Sequence, residues 1–419
     1  MKLLISKKAT AVCACALLVL AAYAQQNAAD NVLKGINGAG EIQTAEQWER
    51  IAKPQILEFF DSEVYGAIPP RPDTMKFTLA ESSDGALGGI AKRLQYKITV
   101  GGTGGEKTFD VLVYLPKNAK GKIPAFVCPN FHGNHTVSPE KEVFIPACFL
   151  RDAPADIEAR EKTRGSRLER IPVKEIVERG FAIATFCYCD IYPDYVTKDG
   201  ASESIYNIFS PEQTSEKLAL AAWAWGNMRA ADLLGTLPEI NSSQIALAGH
   251  SRLAKTAIIT GAHDKRFALV CVNNGGCKSI RLLPNLKFKY WFSQNLRKYV
   301  DNGKTGVSVA ELEKLRNKDL PPPPLDQWHL LACIAPRLLY IAASSDDTYA
   351  PPQMMLSSLK KSCPAFALYG AKNLPAEDFS GKTFSGDVGY HVKEAPHSID
   401  SRDWKLFMDF AEKHGWNKK

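Results

Sequence analysis

Ile245-Ala-Leu-Ala-Gly249-His250-Ser251-Arg252-Leu253-Ala254-Lys255 is the most informative stretch of the chain. It begins with a short apolar run of the kind found in buried strands, and a helical pattern starts after Ser251. A serine between a strand and a helix lies on a sharp corner at the edge of a sheet, where its hydroxyl can project into a cleft. The stretch therefore predicts a strand, a serine turn and a helix.

The flanking sequence alternates short apolar runs with helical stretches. The predicted strands and apolar runs are 93–100, 108–115, 125–129, 182–189, 244–248, 267–272, 337–343 and 365–369, and the predicted helices are 45–63, 173–179, 216–234, 255–262 and 404–414. Continuous apolar strands separated by helices are typical of a parallel sheet covered on both faces. We therefore predict an α/β protein of the α/β-hydrolase type, a three-layer sandwich with a mostly parallel central sheet.

The first residues resemble an export signal. Lysines at positions 2, 7 and 8 precede an apolar run that ends in Ala22-Tyr23-Ala24, the small-residue pattern of a signal-peptide cleavage site. We predict a signal peptide over residues 1–24 and a single catalytic domain over 25–419. The mature protein is then secreted, either periplasmic or extracellular.

The charge pattern limits the kinds of partner that the protein can bind, and the cysteine positions bear on disulfides. The net charge of +7 is interspersed along 419 residues, which does not favour nucleic acid, and no later segment is long enough to span a membrane. We expect a monomer. Two of the ten cysteines leave with the signal peptide. The eight that remain lie mostly in apolar runs, and most are expected to be buried thiols; Cys187 and Cys189, on alternate positions of one predicted strand, fit each other poorly as a disulfide.

Ser251 is the candidate nucleophile. Only the first glycine of the G-x-S-x-G pattern is present, because Leu253 replaces the second, so a serine that merely caps the helix is the alternative. Arg252 and Lys255 lie in the first helical turn, where the helix dipole disfavours cations. They indicate an anion nearby, such as an oxyanion or a substrate carboxylate, unless both are simply solvated.

The chain order of this fold places an acid and then a histidine after the serine. Among the histidines that follow, His397 lies in a loop before the last helix, whereas His391 lies in a strand-like segment and His414 ends that helix. We therefore take His397 as the base. Asp346 and Asp347 both follow the predicted strand 337–343, and only one of them can face the imidazole, because adjacent side chains of an extended chain point in opposite directions.

An oxyanion loop is predicted at Asn130-Phe-His132-Gly-Asn-His135, a His-Gly turn after a strand. Two histidines at this spacing without a third ligand do not favour zinc. We expect neither a metal nor a cofactor.

The sequence resembles the glucuronoyl esterases, the fifteenth family of carbohydrate esterases, and their bacterial relatives. The resemblance runs from about Trp48 to the C-terminus, and its markers are 130–137, 163–167, 249–255, 273–277, 334–337, 386–391 and His397 ahead of 403–404. It implies that Ser251 and His397 are catalytic, that Arg252 helps to hold the oxyanion, and that Lys255 contacts the uronic acid sugar.

The chain also departs from this family. Many members carry the triad glutamate at the position of Asn274, so the acid must come from the later loop. There Asp347-Thr-Tyr349-Ala-Pro resembles an Asp-x-Trp-Ala-Asp pattern, which selects Asp347 and places Tyr349 where a sugar-stacking tryptophan is common. His132 and Trp328 complete the candidate substrate-binding residues, and the segment between Cys277 and Trp291 is shorter than in relatives.

These features predict a serine esterase that hydrolyses a uronic acid ester, either a glucuronoyl ester or a uronate methyl ester, in a plant polysaccharide such as glucuronoxylan or pectin. An acetyl xylan esterase is the enzymatic alternative. A non-catalytic glycan-binding relative is the alternative from another class.

Overall fold

A computed structural model describes residues 31–34, 40–148, 156–195, 203–213, 216–275, 290–296 and 323–417. The signal peptide predicted over 1–24 lies outside these ranges, and its cleavage and the domain boundaries stay predictions. Within the described ranges, no helix combines the length and the apolar character needed to cross a bilayer.

Ten strands form one sheet. They are β1 (Thr74–Gly85), β2 (Ala91–Gly102), β3 (Gly105–Pro116), β4 (Ile123–Val127), β5 (Ala182–Phe186), β6 (Ile240–His250), β7 (Phe267–Asn273), β8 (Leu338–Ser344), β9 (Thr383–Ser385) and β10 (Gly389–Lys393). Their order across the sheet is β1-β2-β3-β5-β4-β6-β7-β8-β10-β9.

Eleven α-helices, several of them a single turn, occur among the described residues. They are α1 (Ala45–Gln47), α2 (Lys53–Phe60), α3 (Ala86–Gly89), α4 (Ile157–Glu161), α5 (Val173–Glu178), α6 (Tyr188–Ile191), α7 (Ala219–Leu234), α8 (Arg252–His263), α9 (Gln327–Ala332), α10 (Pro352–Ala367) and α11 (Ser401–Lys413). Wider π-type turns, Trp48–Ala52 and Asp61–Tyr65, continue the N-terminal helix on either side of α2.

The centre of the sheet is parallel and its edges are antiparallel. Strands β5, β4, β6, β7, β8 and β10 run in one direction, while β1, β2, β3 and β9 pair antiparallel with their neighbours. The parallel strands β4 and β5 are buried at every position, as a sheet covered on both faces requires. The α/β-hydrolase fold is therefore confirmed.

Two details of the predicted elements are wrong. The strand predicted over 182–189 ends at Phe186, and Cys187 precedes the helical turn α6, so Cys187 and Cys189 are not on alternate positions of one strand. The run 365–369 is not a strand either, because its first three residues are the last of helix α10, which ends at Ala367; Ala365 and Phe366 are buried.

The described cysteines are free thiols, at positions 128, 148, 187, 189, 271, 333 and 363. Cys187 Sγ lies 3.8 Å from Cys148 Sγ. Burial raises the pKa of Cys333 to about 12, as expected for a thiol in an apolar core.

Candidate active site

The carboxyl ends of the parallel strands bring the candidate residues to one edge of the sheet. Ser251 follows β6, Asp347 follows β8 and His397 follows β10. Asn130 and the His132 turn follow β4. Ligand sites of parallel α/β sheets form at this edge.

Ser251 has the backbone geometry of a nucleophile elbow. Its φ of 58° and ψ of −122° are a combination that residues other than glycine rarely adopt. The Ser251 amide donates to the Asn273 carbonyl at 2.9 Å, which holds the turn against β7. The side chain of Ser251 does not cap helix α8, so the capping alternative is not supported.

Two glycines make room for this turn. A Cβ on Gly249 would lie 2.2 Å from the Leu253 carbonyl oxygen, and a Cβ on Gly275 would lie 2.2 Å from the Ser251 carbonyl oxygen. Both separations are shorter than van der Waals contact. The second glycine missing from G-x-S-x-G is thus replaced by Gly275, which approaches the elbow from the end of the neighbouring strand.

His397 and Asp347 form a close pair. His397 Nδ1 lies 2.6 Å from Asp347 Oδ2, and Asp347 Oδ1 accepts the backbone amides of Tyr349 at 2.8 Å and Ala350 at 3.0 Å. Burial alone would raise the pKa of Asp347, but the hydrogen bonds from His397 and the amides outweigh it, and the pKa lies below its ordinary value. An ionised carboxylate only accepts hydrogen bonds, so Nδ1 carries the proton and Nε2 presents its lone pair.

Asp346 lies outside this pair. Its side chain is exposed and accepts from the Ser345 hydroxyl at 2.8 Å. Asp347 is 3% exposed. The alternation of side chains along the strand end therefore separates the two carboxylates.

Asn274 supports the loop that carries His397. Its Nδ2 donates to the Ser398 carbonyl at 2.9 Å and to Ser344 Oγ at 2.7 Å. The amide thus holds the residue that follows His397, while the imidazole itself pairs with Asp347. A carboxylate at position 274 could not donate either bond.

A second group of side chains also supports the His397 loop. Lys393, at the end of β10, donates to Asp400 Oδ2 at 3.1 Å and to Asp403. His391 Nε2 lies 2.9 Å from Asp403 Oδ1, and His391 is buried. His391 is therefore a structural residue beneath the loop that holds His397.

The His132 turn is held by Asn130. Asn130 Oδ1 accepts the Gly133 amide at 2.7 Å, and its Nδ2 donates to Asn134 Oδ1 at 2.7 Å. Gly133 has a φ of 95°, which favours glycine. His135 is buried with Nε2 3.0 Å from Thr163 Oγ1.

His250 adjoins the His397 imidazole, with ring centroids 4.7 Å apart. Burial, and then the nearby His397, lower the pKa of His250 to about 3. His250 is therefore neutral at physiological pH, and its Nδ1 lies 2.6 Å from Asn273 Oδ1.

Arg252 is enclosed by aromatic rings and a buried carboxylate. Its guanidinium carbon lies 4.8 Å from the Trp291 ring centroid and 5.7 Å from that of Phe131, and Nη1 pairs with Asp194. Burial would lower the pKa of Arg252, but the charge of Asp194 outweighs it and the pKa is raised. Arg252 is therefore not the solvated surface cation of the alternative interpretation.

Lys255 is also buried, with 8% of its surface exposed. Its Nζ donates to the Gly275 carbonyl at 2.7 Å. The ammonium thus lies against the glycine that packs on Ser251, just before residues 276–289, which are outside the described ranges.

The two aromatic candidates occupy different places. Tyr349 is 72% exposed, and its ring centroid lies 5.9 Å from that of His397. Trp328 is buried in α9 with Lys361 Nζ 4.0 Å from its ring centroid. Tyr349 is therefore the aromatic candidate whose ring contact with His397 is established.

A family model described as "Glucuronyl esterase, fungi" matches residues 131–367. This match covers more than half of the chain and includes the elbow, the Asp347 loop and most of the His132 turn. The chain belongs to the glucuronyl esterase family. It is therefore a carboxylic ester hydrolase of the carbohydrate esterase kind.

Individual carbohydrate esterases resemble the chain over part or most of its length. It is similar to carbohydrate esterase MZ0003 from an unknown prokaryotic organism, with 29% identity over 395 residues, 89% of this chain and 87% of the relative. The solved glucuronoyl esterase from Solibacter usitatus shares 28% identity at a TM-score of 0.79, covering 92% of this chain and 97% of that one. A 4-O-methyl-glucuronoyl methylesterase of Phanerochaete chrysosporium shares 26% identity over 46% of this chain and 41% of its own length.

The structural roles of three residues of this glucuronyl esterase site were not predicted from the sequence. Gly275 and Asn274 lie after β7, and their roles depend on the approach of that strand to the elbow and to the His397 loop. Asp194 follows α6, 57 residues before the serine in the chain. An acidic residue after a strand of the parallel sheet was the available signal for Asp194, because such residues come to the same edge.

Proposed function

We propose that the protein hydrolyses uronic acid esters of plant cell-wall polysaccharide, with Ser251, His397 and Asp347 as its catalytic residues. The observation that carries this proposal is the short contact between His397 Nδ1 and Asp347 Oδ2, at the sheet edge that also holds the Ser251 elbow. The glucuronoyl esterase and methylesterase names of the relatives support a uronate as the acyl group.

In the first half of the reaction, Ser251 Oγ attacks the ester carbonyl while His397 Nε2 takes the hydroxyl proton. The resulting imidazolium is stabilised by the Asp347 carboxylate, which keeps its charge. The tetrahedral intermediate then collapses. The bond to the alcohol breaks, His397 returns the proton to the leaving oxygen, and a uronoyl ester of Ser251 remains.

In the second half, water attacks the acyl-enzyme and gives its proton to His397. Collapse of the second tetrahedral intermediate releases the uronic acid and restores the Ser251 hydroxyl. In both halves the negative oxygen is held by the amide after the nucleophile, by donors of the His132 turn and by the Arg252 guanidinium. Donors fixed before the reaction begins need no reorganisation as charge develops.

The remaining candidates bind the substrate in this proposal. Lys255 contacts hydroxyls of the sugar, and Tyr349 presents its exposed ring beside His397 for stacking. His132 and Trp328 are the other two candidate substrate-binding residues. We also propose that the enzyme acts as a monomer after export.

Purified protein assayed in parallel on benzyl glucuronate, methyl glucuronate and p-nitrophenyl acetate tests the substrate class. We expect kcat/KM on the glucuronate esters to exceed that on the acetyl ester. Efficient release of acetate from acetylated xylan, without hydrolysis of either glucuronate ester, would instead favour an acetyl xylan esterase. Failure of a fluorophosphonate probe to label Ser251 would favour the glycan-binding alternative.

A further inference from the structure

Asp194 is a fully buried carboxylate at the catalytic edge of the sheet, with 0% of its surface exposed. Its Oδ1 accepts from the Tyr290 hydroxyl at 2.8 Å and from Trp291 Nε1 at 3.2 Å. Its Oδ2 accepts from the Tyr188 hydroxyl at 2.5 Å and from Arg252 Nη1. Three of these donors are neutral, so Arg252 supplies the positive charge among them.

Arg252 in turn depends on Asp194 for its charge balance. Its side chain is 20% exposed, and Nε is buried without a hydrogen-bond partner among the described residues. Phe131 and Trp291 contact the guanidinium through their rings and offer no negative charge. Without Asp194, the guanidinium would be a partly buried cation on the residue that follows the nucleophile, and such a group attracts an anion.

Ester hydrolysis at Ser251 creates that anion. The substrate ester is neutral, but the acid released from the acyl-enzyme ionises and leaves a carboxylate where the oxyanion was held. An unbalanced cation on Arg252, the residue next to Ser251 in the chain, would hold this product more tightly than the substrate, because only the product carries a full negative charge. A neutral ion pair can still donate hydrogen bonds, while its attraction for a charged product is weaker.

We propose that Asp194 is a positioning residue that fixes the Arg252 guanidinium and cancels its charge, so that the uronate product leaves the active site. The proposal rests on the proposed function, in which Arg252 holds the oxyanion and the product is a uronate. Tyr188, Tyr290 and Trp291 hold the carboxylate in its place. The Asp194–Arg252 ion pair has no net charge, and Arg252 can still donate hydrogen bonds to the oxyanion.

The test is product inhibition of Asp194→Asn, measured as the Ki of glucuronate during hydrolysis of benzyl glucuronate. We expect the Ki to fall by about tenfold or more at low ionic strength, and the change to shrink as salt screens the cation. If Asp194 only held Arg252 in place, its replacement would misplace Arg252 and weaken the binding of both substrate and product. An unchanged or raised Ki in a folded, active variant would overturn the proposal.

Control variants separate charge from folding. Asp232→Asn removes another carboxylate whose side chain is largely buried; Asp232 lies in α7 and pairs with Arg229 and Arg266. This variant should leave the Ki unchanged. If Asp194→Asn does not fold, Arg252→Gln should raise the Ki, and Arg252→Gln combined with Asp194→Asn should bring it back towards the wild-type value. Equal Ki values for these two variants would contradict the charge balance.

Failure of the proposed function gives a different result. A wild-type enzyme that does not hydrolyse benzyl glucuronate removes the uronate assignment. The same variants are then compared for inhibition by acetate during hydrolysis of p-nitrophenyl acetate. The charge-balance proposal expects tighter acetate binding in Asp194→Asn, and an unchanged Ki for acetate would overturn it.

Discussion

His397 Nδ1 lies 2.6 Å from Asp347 Oδ2, while Asp346, the preceding residue, is exposed to solvent. Asp347→Asn should therefore lower kcat by about 10⁴-fold, because an amide can hold the wrong imidazole tautomer and cannot stabilise the imidazolium. Asp346→Asn is the matched control and should change kcat little. If the two effects were reversed, Asp346 would be the acid.

Stability should depend on pH through the same carboxylate. Its pKa in the folded protein lies below the ordinary value of 3.8, so the unfolded chain binds more protons at acidic pH. The stabilisation from Asp347 is then complete above about pH 4 and is lost as the pH falls through the folded pKa. Urea unfolding should show that the free-energy difference between wild type and Asp347→Asn is smaller at pH 3 than at pH 7; a constant difference would argue against this linkage.

Asn274 occupies the position at which the family resemblance implies a triad glutamate. Adding Asn274→Glu to Asp347→Asn should therefore raise kcat above that of Asp347→Asn alone, by about tenfold or more, because a carboxylate is restored near the imidazole. The double variant should stay below wild type, since glutamate cannot donate to Ser398 and Ser344. No gain in activity would show that position 274 is too far from His397 in this protein.

The elbow depends on the absence of a side chain at Gly275. Gly275→Ala would place a Cβ 2.2 Å from the Ser251 carbonyl oxygen and 2.4 Å from Ala254 Cβ, so the serine must shift. We expect a loss of about 10²-fold in kcat. Gly85→Ala, where nothing lies within 4 Å of the added Cβ, should be silent; equal behaviour of the two variants would contradict the role of Gly275.

Lys255 distinguishes a uronate from an acetate substrate. Replacement by methionine fills a similar volume but removes a charge-assisted hydrogen bond, which contributes about 1.5–3 kcal/mol. We expect kcat/KM on benzyl glucuronate to fall by about tenfold or more, with little change on p-nitrophenyl acetate. Equal losses on both substrates would mean that Lys255 acts only by supporting Gly275.

The parallel centre of the sheet was predictable from the sequence because its strands are buried on both faces and read as continuous apolar runs. The antiparallel strand β1 was missed because its residues are mostly exposed and leave no such pattern. The boundary at Phe186 was also missed, since the apolar residues of α6 continue the run of β5. Period alone cannot separate a buried strand from a buried helical turn.

The candidate site was also predictable from the sequence only in part. Chain order and loop position singled out Ser251 and His397, and the structure places Asp347 against His397. The contribution of Gly275 could not be predicted from the sequence around it, because it depends on how closely two neighbouring strands approach each other. Asp194 was missed for a similar reason: its partners Tyr290, Trp291 and Arg252 come from distant parts of the chain.

The most direct test of the account is hydrolysis of benzyl glucuronate by wild type and by Ser251→Ala, with circular dichroism to compare their folds. The wild-type enzyme should hydrolyse the ester, and the variant should lose essentially all activity while keeping the fold, because it lacks the oxygen that forms the acyl-enzyme. Retention of more than about a few per cent of activity by a folded Ser251→Ala would contradict the mechanism.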